Sequence, residues 1–163
     1  MDLAGFNTAP AAEVRPVLIA CLDVPRWAEA VLAGRPYPDL RALVSAAESA
    51  GPLRPGEIRR AIAAHPRIGE RATGWSRTEQ SGVDSVAAQR FLAANAAYEQ
   101  RFGHVYLVCA AGRGGAELLD DLADRMRNGP ETELAVAGRE LINIASLRLR
   151  KAVVPSAAGE ERA

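Results

Sequence analysis

The feature that most constrains this chain is the way its apolar residues recur. They return every three or four positions along one segment after another, and proline or glycine punctuates each segment. Val14, Val17, Leu18 and Cys21 share a face, as do Leu40, Leu43, Val44 and Ala47, and then Ile58, Ala61 and Ile62. Further segments carry Val86, Phe91, Leu92, Ala94, Tyr98 and Phe102, then Leu118, Leu119, Leu122 and Met126, then Leu134, Leu141, Ile142, Ala145 and Leu149. This period gives each helix one apolar stripe, which is buried only by packing against other helices. The spacing therefore predicts an all-α chain: a single-domain helical bundle of about seven to eight helices. One apolar run, Val105 to Ala111, lacks the period and predicts a short extended segment near 104–111.

Punctuation places the ends. Residues 1–10 read as a lead-in, with Asn7 or Thr8 available to cap a helix over Ala11 to Leu22. Pro25 opens a second helix that Gly34 stops. Asp39 to Ala50 forms a third, closed by Gly51-Pro52, and Pro55-Gly56-Glu57 starts a fourth that runs into His65-Pro66. Proline disfavours helical geometry at the residue before it, so that helix ends at His65 and presents the imidazole at its C-terminal tip. The partial negative charge there favours the protonated ring. Ser76-x-x-Glu79 fits a capping box, Gly82 ends that turn, and Asp84 caps a long helix stopped by Gly103. Gly112-Arg113-Gly114-Gly115 lacks the full G-x-G-x-x-G of a dinucleotide loop and reads as a connector or helix start. A last helix runs from about Glu131 to Val153. The domain is placed at 1–155, with 156–163 a polar tail.

At 163 residues with a formal net charge of zero, no bulk field favours a nucleic acid or an anionic membrane. No apolar run approaches the roughly 20 residues that cross a bilayer, and no basic-then-apolar leader opens the chain, so the expected location is cytoplasmic. Cys21 and Cys109 both sit in apolar runs and read as buried thiols. Lys151 is the only lysine and the other basic side chains are arginine, so an anion site here would use guanidinium, which grips carboxylates in two-pronged fashion. Two well-separated histidines, His65 and His104, with no C-x-x-C or H-x-x-x-H leave zinc or iron without ligands. No nucleophile elbow is present. What remains is non-covalent acid–base chemistry: His65 moving a proton, Glu79 as hydrogen-bond partner, an arginine clamping a carboxylate. Taken singly, each residue also has a purely structural reading. His65 is then a helix-end group, Glu79 a capping acid, and Arg148, between Leu147 and Leu149, a solvent-facing or snorkelling side chain.

Taken in order, these residues fall into a larger set. Cys21, Arg26-Trp27-Ala28 and Arg35-Pro36 precede Ala64-His65-Pro66-Arg67-Ile68-Gly69 and Ser76-x-x-Glu79-Gln80. Tyr98-x-x-x-Phe102-Gly103, the apolar run and Gly112-Arg113 come next, followed by Arg125-x-x-Asn128, Glu133 and Ile144-x-x-x-Arg148-Leu149. Across roughly residues 7–152 this set resembles the 2-oxo-4-hydroxy-4-carboxy-5-ureidoimidazoline (OHCU) decarboxylase family of urate degradation. The His-Pro-x-x-Gly and Ser-x-x-Glu-Gln pair, ahead of Phe-Gly, is its specific part. The resemblance implies an all-helical homodimer and a cofactor-free carboxy-lyase giving (S)-allantoin and carbon dioxide. It places the catalytic histidine, glutamate and carboxylate-binding arginine at His65, Glu79 and Arg148. Pro66, Ser76 and Gln80 match residues around the substrate ring, and the backbone of the segment at Val105, Leu107 and Cys109 is expected to meet its amides. No metal ligand is implied.

The chain departs from the family pattern in two places. His104-Val105-Tyr106 stands where a hydrophobic-Pro-Phe stretch is common, and the interval from Gly69 to Ser76 is short. Two other readings follow: the same fold acting on another small carboxylated ureido compound, or a non-catalytic helical interaction module in which His65 and Glu79 are only caps.

Overall fold

The computed structural model describes residues 1–65 and 85–156, with no side-chain description for 85–89. Pro66, Ser76, Glu79 and Gln80 lie outside the described residues, as do the capping box, Gly82, Asp84 and residues 157–163 of the expected tail. Among the described residues there are eight helices and no strand. Their contacts group them into two compact units, one made of Met1–Pro52 with the chain from Ile142 onward, the other of Leu53–Leu141.

The first unit begins with α1 (Leu3–Thr8), α2 (Ala11–Cys21), α3 (Pro25–Ala33) and α4 (Leu40–Ser49). Helix α1 replaces the expected lead-in. Its cap is Asp2, whose carboxylate accepts the Gly5 N–H at 2.8 Å, a short acidic side chain satisfying an orphan donor. Asn7 is not a cap; its side-chain amide donates to Tyr37 O and accepts from Tyr37 N, both at 2.9 Å. Pro25 and Gly34 bound α3 as their types require, and Asp39 caps α4 through Ala42 N at 2.7 Å. Val14, Leu18, Trp27, Val31, Leu43 and Leu149 are buried in this unit, and Trp27 Nε1 donates to Ala47 O at 2.8 Å. A parallel bridge between Asp2 and Val154 ties the start of the chain to the end of the last helix, and Ser156 Oγ accepts from Ala4 N at 2.9 Å.

The second unit holds α5 (Pro55–Ala63), α6 (Ser85–Phe102), α7 (Gly115–Arg125) and the first part of α8 (Pro130–Ala152), whose remainder belongs to the first unit. Glu57 accepts the Arg54 N–H at 2.7 Å and so closes the start of α5. Gly103 ends α6 at φ +75°, a left-handed conformation in which glycine carries no Cβ penalty. Residues 105–110 then run without helix, turn or bend, in keeping with the expected extended segment. Tyr106, Val108 and Ala110 join Phe91, Tyr98, Leu118 and Leu122 in one apolar cluster. The glycine-rich stretch is a connector and helix start, with Gly114 at the N-cap of α7.

Gly34 does more than end a helix. A Cβ there would lie 2.2 Å from the Tyr37 hydroxyl oxygen and 2.9 Å from its ring carbon, and that hydroxyl donates to Val31 O at 2.7 Å inside the core. Since the obstacle is a rigid ring, Gly34→Ala is expected to cost about 1–3 kcal/mol through overpacking, measured as a lower urea midpoint with unchanged slope.

Candidate functional site

His65 stands just past α5, whose last turn fixes it. Its N–H donates to Ile62 O at 2.9 Å, and its Nδ1 lies 2.8 Å from Ala61 O. The half-buried ring therefore folds back on the final carbonyls rather than projecting off the tip. A carbonyl oxygen only accepts, so Nδ1 carries the hydrogen, and in the neutral ring Nε2 is the basic atom. The helix end thus selects the tautomer.

Arg148 belongs to the first unit and is only 8% exposed. Its Nη1 donates to Cys21 O at 3.3 Å, the carbonyl of the last residue of α2. That contact takes one of the five N–H donors a guanidinium carries. Burial rules out the solvent-facing reading of this arginine.

Val105, Leu107 and Cys109 lie together on the segment after α6. Val105 O faces His104 Nδ1 at 3.1 Å, and the His104 ring packs edge-on against Tyr98 with centroids 5.6 Å apart. Leu107 O accepts from Arg125 Nη1 at 2.6 Å, and Cys109 N donates to Glu140 Oε2 at 2.7 Å. The structure thus brings Arg125 and Glu140 to the backbone that the sequence marked for substrate contact. Cys21 is buried and Cys109 half-buried. Among the described residues no three His, Cys, Asp or Glu side chains group as a metal site. No helix among them is long and apolar enough to cross a membrane.

Arg125 is held by a fully buried carboxylate. Glu133 Oε1 accepts from Arg125 Nε at 2.8 Å, from Arg125 Nη2 at 2.5 Å and from the Tyr98 hydroxyl, while Oε2 accepts from Asn128 Nδ2 at 2.8 Å. Arg125 also lies over the Tyr106 ring, 4.9 Å from its centroid, a cation–π placement. Burial alone would lower the Arg125 pKa, but its bonds and charge pairing with Glu133 hold it above the ordinary value. Sequence motifs included Arg125, Asn128 and Glu133 without a task for them, and Glu140 passed unnoticed. Glu133 did leave one signal: it falls on the stripe of α8 that also carries Ala137 and Leu141, both buried.

Removing one partner from a buried ion pair strands the other, so Glu133→Ala is expected to cost about 3–5 kcal/mol by urea unfolding. Tyr98 and Tyr106 have raised pKa values, chiefly from burial and next from hydrogen bonds to Glu133 and Asp121. Their unfolded value is about 10, so this stability is fully present below about pH 10 and is lost as pH rises above it. Thermal melts against pH should show an alkaline decline, shallower in Tyr106→Phe.

Among known proteins, a family model described as OHCU decarboxylase matches residues 7–150. The "2-oxo-4-hydroxy-4-carboxy-5-ureidoimidazoline decarboxylase" of Amia calva is 32% identical over 140 residues, covering 77% of this chain and 79% of that protein. The "Uric acid degradation bifunctional protein TTL" of Arabidopsis thaliana is 32% identical over 108 residues, 56% of this chain, and the match spans only 32% of that protein's length. A crystal structure of an OHCU decarboxylase in the presence of (S)-allantoin superposes with a TM-score of 0.68 at 26% identity, covering 82% of this chain and 94% of that one. A family match across nearly the whole chain, joined to a relative aligned over most of both sequences, makes this chain a member of the OHCU decarboxylase family.

Proposed function

We propose that this chain is a cofactor-independent carboxy-lyase that converts OHCU to (S)-allantoin and carbon dioxide in urate breakdown. It is further proposed to work as a cytoplasmic homodimer. The observation that carries the reading is the family match over residues 7–150, which spans His65, Glu79 and Arg148.

The chemistry fits such residues. When the bond from the ring carbon to the carboxylate breaks, carbon dioxide leaves and the electron pair passes into the adjacent C=N bond. That bond takes up a proton at nitrogen, so the substrate supplies its own electron sink. The resulting enol loses its hydroxyl proton, and the ureido-bearing carbon gains one, becoming the stereocentre of allantoin. The protein's task is orientation, charge complementarity and a proton delivered to one face. In this proposal Arg148 holds the carboxylate and Glu79 hydrogen-bonds the hydroxyl or ureido group. His65 carries the proton at Nε2, a role supported by the engagement of Nδ1 with Ala61 O. Pro66, Ser76 and Gln80 line the substrate ring, and the segment of Val105, Leu107 and Cys109 meets its amides.

The test generates the substrate in situ from urate and follows circular dichroism for optically active allantoin. Wild type should give a fast chiral signal. His65→Ala and Glu79→Gln should keep the fold and lose about 100-fold or more in rate, the scale of general acid–base catalysis. Wild type and His65→Ala both following the slow spontaneous course would redirect the search to another carboxylated ureido compound.

A further inference from the structure

A straight, buried stretch of backbone inside a helical protein poses a problem that a sheet does not. Its peptide groups need partners, yet among the described residues the only bridge is the distant pair Asp2 and Val154. Ala110 C=O accepts the Arg113 N–H in the turn that follows, and further back two peptide groups are held by side chains. Leu107 C=O is taken by Arg125, and two residues on, Cys109 N–H is taken by Glu140. In an unbent chain the C=O of one residue and the N–H of the second residue after it leave on the same edge, so both anchors grip one edge of the segment.

Both anchors trace back to α8. Glu133 fixes Arg125, and Glu140, seven positions further along, falls on the same face two turns later. The two carboxylates differ in setting. Glu133 is fully buried and fastened to four donors, whereas Glu140 is half-exposed. The Glu133 anchor is thus part of the core, and the Glu140 anchor lies at its edge.

We propose that Glu140 is a positioning residue: through the Cys109 N–H it sets the register of the segment that meets the substrate. This rests on the decarboxylase reading, which makes residues 105–109 a substrate contact. Glu140 acts through the backbone it holds and carries no proton in the reaction.

The experiment compares wild type, Glu140→Ala and Glu140→Gln in the full chain. KM and kcat are read by the allantoin dichroism assay, and the Cys109 amide proton by NMR on the ligand-free protein. Glu140→Ala should raise KM about tenfold with kcat within about threefold of wild type, the pattern of lost binding rather than lost chemistry. Glu140→Gln keeps an oxygen acceptor and should restore KM to within about threefold. The Cys109 amide proton should move upfield in Glu140→Ala and less in Glu140→Gln. An unchanged KM in Glu140→Ala, even with a lowered Tm, overturns the proposal, and so does a Gln variant as impaired as Ala. A wild type without turnover overturns the decarboxylase reading instead. The amide shift then decides separately whether Glu140 holds Cys109.

Discussion

The Glu133 carboxylate is the point on which the second unit depends. It sits in the core with no solvent to stabilise its charge, and it is tolerable there only because Arg125, Tyr98 and Asn128 all donate to it. Each donor belongs to a different stretch of chain. Tyr98 comes from α6, Arg125 from the end of α7, and Asn128 from the turn before α8. One buried group thus fixes three elements, and through Arg125 it reaches a fourth, the segment at Leu107. A half-satisfied network of this kind would be worse than an apolar core. Its completeness is what allows a non-helical stretch to run through a helical unit.

Arginine elsewhere in the protein is given a related task. Arg35 donates to Phe6 O and Ala9 O at the end of α1, and to Leu32 O in the last turn of α3. Arg26 donates to Ala50 O and Pro52 O past the end of α4, and Arg148 to Cys21 O at the end of α2. All but Pro52 O belong to the last turn or the cap of a helix, at its negative pole, where carbonyls run out of N–H partners within the helix. A planar guanidinium with several donors reaches two such oxygens at once, which the ammonium of lysine does less well. The composition meant that any anion site would be built from guanidinium, and Arg26, Arg35 and Arg148 use theirs on helix ends as well.

Some of the candidate site was legible from local rules. Pro66 after His65 announced the end of α5, and the carbonyl that selects the His65 tautomer lies only four residues back. The segment at 105–110 was visible because its apolar residues abandon the helical period. Helix α1 was missed because six residues are too few to display a period, and its cap, Asp2, looked like part of a polar terminus. The buried state of Arg148 was ambiguous, since flanking leucines suit both a buried and a snorkelling arginine. Glu140 gave no signal, because nothing in its own neighbourhood distinguishes a carboxylate that accepts from a distant N–H from one that faces water.

Among the described residues, and α1 apart, the sequence by itself determined roughly where helices begin and end and which stretch is not helical, because those choices rest on period, proline, glycine and capping within a few residues. It also determined the family, through motifs whose order survives without knowledge of their contacts. Only the tertiary structure decided which charges are buried and which peptide groups they hold. Cys109 meets Glu140 across 31 residues, and Arg148 meets Cys21 across 127. Such pairings are set by how helices pack, and a charge discloses whether it is stabilised by water or by a partner only once the chain around it has closed.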